Sequence, residues 1–145
     1  MEVFREVVEQ RPGSTKGHSA LANALLQDGQ VAAAANHLET AVRMNPRSAT
    51  LLLRLAWLRA TAQDPSARNG KQALAIAEKL RESTQGKHPI VWDTLSVAQA
   101  ELGDFDAAVA AADRAIEILG DKHQQLVDQI RARIEGYQQR RAYRE

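Results

Sequence analysis

Two stretches of the chain share one pattern of apolar and polar positions: GHSALANALLQDGQVAAAANHLETAVRMNP (17–46) and IVWDTLSVAQAELGDFDAAVAAADRAIEILG (90–120). In each, an apolar run with helical spacing ends at a glycine, and a second run follows with small residues at regular offsets. No apolar–polar alternation of strand length occurs. Aligning Gly29 with Gly103 superposes Leu21 on Leu95, Leu25 on Gln99, Ala34 on Ala108, Leu38 on Ala112 and Ala41 on Ala115. The stretch between them fits as a third copy. Leu55 follows Leu21 by 34 residues, and Ala73, Ala77 and Leu80 take the places of Ala34, Leu38 and Ala41. Pro12 lies 34 residues before Pro46, and Phe4 and Val7 lie 34 before Leu38 and Ala41. One period at independent landmarks predicts an array of stacked helix hairpins.

The pattern has a packing logic. Ala22, Ala56 and Ser96 share one offset on first helices, and Ala34, Ala73 and Ala108 share one on second helices. Small side chains there let antiparallel helices approach closely, while Leu21, Leu55 and Leu95 fill the space beside them. One hairpin cannot bury its apolar faces alone, so successive hairpins must stack. Gly29 and Gly103 read as helix C-caps, and Pro12 and Pro46 as stops after second helices. Leu126, Ile130, Ile134 and Tyr137 form a one-sided stripe opposite Gln125, Asp128, Arg131 and Gln138, which predicts a capping helix within 122–141. The basic ending RRAYRE makes a partner-binding or membrane-surface helix the competing reading.

These residues resemble the tetratricopeptide repeat family. The strongest copy runs from Pro89 to Leu119, with Trp92, Leu95, Gly103, the GDFD of 103–106, Ala108 and Ala115 at the family's signature offsets. The copy from Thr15 to Asn45 carries Leu21, Ala22, Gly29, Ala34, Leu38 and Ala41, but His18 where the family favours Trp. The resemblance implies an all-α, right-handed superhelical solenoid of antiparallel hairpins, about three units plus a capping helix. The expected division is a truncated second helix over 1–14, repeats over 15–48, 49–88 and 89–121, and a capping helix and tail over 122–145. The truncated start, with Phe4, Val7 and Val8 uncovered, implies repeats or another domain upstream and self-association through that edge.

The resemblance also implies a surface. First helices of such arrays line a concave side that holds a peptide or a partner's helix. The inward positions are Lys16, Ser19, Asn23 and Gln27; then Arg54, Trp57 and Thr61; then Asp93, Val97 and Glu101. Arg54 offers a fork for a carboxylate, and Trp57 is either a flat anchor in the groove or a filler against the next helix. Some family members clamp a chaperone's carboxylate, but Ser19, Arg54, Ile90 and Thr94 depart from that set, and chaperone binding is not expected. The leading expectation is a non-catalytic protein-interaction module. The alternative is a structural or oligomerising segment at the end of a longer bacterial multi-repeat protein, which LAWLRATAQDP and the ending YRE resemble, with a membrane or transferase domain upstream.

Composition narrows the chemistry. Aromatics are only 4% of residues, so the core must be built from Ala, Leu, Val and Ile. A net charge of +1 argues against nucleic acid as the main partner. The chain has no cysteine, no run long enough to insert in a membrane and no signal-peptide pattern. It reads as a soluble segment, with the cytoplasm favoured over the periplasm. His18, His37, His88 and His123 show no metal-ligand spacing, and Ser19, Ser48, Ser66, Ser83 and Ser96 have no base nearby. Asp104 and Asp106 read as helix-start acids. No catalytic residue, metal or cofactor is expected.

The segment QDPSARNG (63–70) breaks the period: Leu21 to Leu55 is 34 residues, but Ala34 to Ala73 is 39. The insertion reads as a widened corner. Asp64–Pro65 is expected to cap one short turn, Asn69–Gly70 to supply positive φ, and Arg68 to offer a secondary contact to a partner.

Overall fold

The structure, a computed structural model, describes residues 15–145, so the expected helix over 1–14, with Phe4, Val7, Val8 and Pro12, lies outside the described residues. Within them are seven α-helices and no strand: α1 (Thr15–Gln27), α2 (Val31–Met44), α3 (Ala49–Thr61), α4 (Gly70–Ser83), α5 (Pro89–Glu101), α6 (Phe105–Leu119) and α7 (Gln124–Gln138). A short 3-10 turn over Gly120–His123 leads into α7. Each helix packs on the next in sequence, and α3 also packs on α5, the stacking of one hairpin on another.

The helix ends follow local chemistry. Gly29 and Gly103 take φ of 77° and 83°. The next amides reach back across the turn, Gln30 N to Leu25 O at 2.8 Å and Asp104 N to Gln99 O at 2.9 Å, which closes the C-terminal turns of α1 and α5. Side chains cap three helix starts: Ser48 Oγ accepts from Leu51 N, Asn69 Oδ1 from Gln72 N and Asp104 Oδ1 from Ala107 N. Met44 ends α2 two residues before Pro46.

The alanine seam is the core of the stack. Ala22, Ala56, Ser96, Ala34, Ala73 and Ala108 all have zero exposure, and Leu21, Leu55 and Leu95 are buried beside them. With no side chain beyond Cβ (or Oγ) at those points, the facing helices meet almost backbone to backbone. The outer face of α6 is closed by α7, whose Val127, Ile130, Ile134 and Tyr137 are buried. Leu126, expected to begin that stripe, is half-buried at its edge, while Gln125, Asp128, Arg131 and Gln138 are exposed.

The 63–69 corner is anchored from below. Buried Arg59 donates from Nη1 to Ala67 O at 3.1 Å, and its Nη2 pairs with Glu39 on α2 at 3.0 Å. Gln72 donates to the same Glu39 carboxylate at 2.6 Å; that bond, with Arg59 beside it, holds the carboxyl below its ordinary range. Asp64 closes one turn, accepting from Ser66 N and Oγ, and the Ser66 hydroxyl chiefly lowers its pKa. Positive φ plays no part at the far end, contrary to expectation. Asn69 is extended at φ −155° and serves as the N-cap of α4. Glycine is required at position 70 for space instead, because an added Cβ would stand 2.9 Å from Glu101 Cγ and 3.0 Å from Leu102 Cδ2.

Three outcomes are expected in urea or thermal melts. Ala108→Leu overpacks the seam and destabilises by about 1–3 kcal/mol, and Leu95→Ala removes buried volume at a cost of about 2–5 kcal/mol. Gly70→Ala, which in an open helix stabilises by about 1 kcal/mol, destabilises here because the methyl group collides with Glu101. An unchanged or raised melting temperature for Gly70→Ala would contradict the close approach.

Candidate partner-binding groove

The first helices α1, α3 and α5 present the side chains expected on the concave face, and most are already engaged. Arg54 on α3 donates from Nη1 to Ser19 Oγ at 3.0 Å and from Nη2 to Asn23 Oδ1, tying α3 to α1. Lys16 and Gln27 on α1 are exposed. Thr61, Asp93 and Val97 are buried rather than open to a partner. Thr61 Oγ1 turns back to Trp57 O at 2.7 Å, and Val97 belongs to the apolar core. The period located these positions on first helices, but a helix flanked by neighbours on both sides has little free face.

Asp93 is satisfied from α7. Arg133 Nη2 lies 2.8 and 2.6 Å from its two carboxylate oxygens, and both side chains are almost wholly enclosed. Burial pushes the Asp93 carboxyl above its ordinary range, although Arg133 pulls the other way. The nearby Tyr137 hydroxyl is pushed up to about 12, again chiefly by burial.

The rest of this end of the groove is partly covered by the chain itself. After α7 the backbone turns at Arg140, with φ of 63°, and residues 141–145 run back over the concave face as an irregular strap. The Arg133 guanidinium touches both rings of a tilted Trp57–Tyr143 pair whose centroids are 6.1 Å apart, lying 5.1 Å from the Trp57 centroid and 5.2 Å from that of Tyr143. Arg144 Nη1 pairs with Glu101 at 2.6 Å. Glu145 N donates to Thr61 O at 2.8 Å, and the Glu145 carboxylate accepts from Trp57 Nε1. Trp57 is thus half-buried beneath Tyr143 and Glu145.

Beyond Glu145 the groove is open. A cleft of about 560 Å³ runs beside α3, lined by Leu26, Leu53, Leu58 and Ile90, with Arg54 and Glu145 among its polar residues. A second cleft of about 740 Å³ lies under the strap and shares Trp57 and Glu145 with the first. The two clefts thus meet at these two residues, the first lined mostly by apolar side chains and the second bordered by α7 and the strap.

Sequence reasoning passed over Arg133, Tyr143, Arg144 and Glu145 as site residues. For the last three the only signal was the ending RRAYRE, an aromatic among charges of both signs; Arg133 lies outside it. It also passed over a pair that the first hairpin assembles: His18 and His37, whose Nδ1 atoms are 3.0 Å apart and whose ring centroids are 5.2 Å apart. An antiparallel hairpin joins residues 19 apart, a spacing outside the helical intervals that reveal ligand sets. No group of three His, Cys, Asp or Glu side chains able to hold a metal occurs among the described residues. Arg68 is engaged within the corner, donating to Ala62 O and Gln63 O, and lies 3.6 Å from Glu101.

No helix among the described residues is long and apolar enough to cross a membrane. No curated protein matches the chain. Two family models, both described as tetratricopeptide repeat, match residues 19–83 and 90–118. These matches cover the three hairpins that the alanine seam holds together, and with that seam they show that the chain belongs to the tetratricopeptide repeat family.

Proposed function

We propose that this chain is a non-catalytic interaction module that holds a segment of a protein partner in the groove of α1, α3 and α5. Repeats of this family generally mediate protein–protein interactions and are typically not catalysts. The observation that carries the reading is the open apolar cleft beside α3. Leu26, Leu53, Leu58 and Ile90 line it, and Arg54 and Glu145 stand at its edge. Such a lining takes an apolar side chain of a partner, while the rim fixes the partner's backbone. The self-association expected through the 1–14 edge rests on residues outside those described.

The test is capture of partner from lysate by the intact chain and by groove variants. Leu53→Glu and Ile90→Glu each place a charge in the cleft and reduce capture at least about ten-fold, which corresponds to about 1.4 kcal/mol. Lys79→Glu, on the exposed side of α4, leaves capture unchanged. Melting curves establish that each variant is folded. Equal capture by all three variants sinks the groove reading, and altered assembly with unchanged capture points to a structural role.

A further inference from the structure

The strap shows what the strapped half of the groove recognises. Tyr143 stacks against the Arg133 guanidinium, Arg144 meets the Glu101 carboxylate, and Glu145 engages both Trp57 Nε1 and the Thr61 carbonyl. Each of three successive residues finds its chemical complement on a different element: α7, then α5, then α3. The face offers a cation–π surface, an anion and an indole donor in that order. Glu145 also stands at the border between the two clefts. Glu145 lines the apolar cleft together with Leu53, Leu58 and Ile90.

We infer that residues 141–145 are a built-in competitor for the groove, and that its partner is an extended peptide of the pattern aromatic–basic–acidic followed by apolar residues. The inference rests on the groove reading above and deepens it. The partner's triplet takes the places of Tyr143, Arg144 and Glu145, and its apolar residues fill the cleft that the strap leaves empty. Being tethered, the strap acts at high effective concentration, so it weakens every weaker or equal competitor from solution. A partner succeeds through apolar contact with Leu53, Leu58 and Ile90, added to the contacts that residues 143–145 make. The groove therefore discriminates by the residues on the C-terminal side of the acidic one.

The probe is a fluorescein-labelled peptide with the sequence of residues 139–145 followed by two leucines, read by anisotropy. The full chain carrying Tyr143→Ala and Arg144→Ala binds it at least about ten-fold more tightly than the unaltered chain does, as expected if the strap occupies the site nine-tenths of the time. Arg144→Glu alone, which sets like charges against each other at Glu101, produces a gain of similar size. The same peptide without the two leucines binds more weakly, and a scrambled one does not bind. Equal affinity for the unaltered and strap-weakened chains overturns the inference, as does no binding to either folded variant. If that happens while capture of the cellular partner still falls with Ile90→Glu, only the strap inference is lost. If capture also ignores Ile90→Glu, the groove reading fails as well.

Discussion

The architecture depends on how closely two helix backbones can approach. At six equivalent positions the facing side chain is Ala or Ser, and none is exposed to solvent. Larger residues there would push the helices apart and leave voids that the leucines beside the seam could not fill. Close approach makes each hairpin thin and its outer faces apolar, so the next hairpin is obligatory. Stacking then sets α1, α3 and α5 side by side, and the groove is the surface that this leaves. The groove's shape follows from the alanines, while its chemistry depends on residues that the packing leaves free to vary.

Burial also decides which of those residues can meet a partner. Asp93 and Arg133 lie so deep that each needs the other; removing either would strand a charge among apolar neighbours. Their pairing turns an acidic position on α5 into part of the wall. Arg54 likewise spends its donors on Ser19 and Asn23, and so sets the spacing of α1 and α3. What stays open is mostly apolar, with polar groups confined to the rim.

The hairpin array was legible in the sequence because its determinants are local and recur. Leucine, alanine and glycine at a fixed period specify where helices start, stop and touch, and the same residues occupy the buried seam. The widened corner was legible in length but not in cause. Asn69 acts through its side chain as a cap, and Gly70 is needed for clearance from Glu101, a contact between residues 31 positions apart that no local pattern encodes. The strap was hidden for the same reason. It has no periodicity, and its meaning lies in Trp57, Thr61 and Glu101, which only the stacking of three hairpins brings under it.

The manner in which the strap is held bears on how readily it leaves. Detaching an ion pair is costly when it abandons a charge in a dry place. Here neither of the main charges beneath the strap depends on it alone. Arg133 keeps both oxygens of Asp93, and Glu101 keeps Arg68 on the opposite side. Trp57 Nε1, once uncovered, faces water at the rim of an open cleft. Each charge under the strap therefore keeps one partner without it, and among these charges departure exposes only the Glu101 oxygen that Arg144 held, as befits a latch that can cycle rather than a seal formed once.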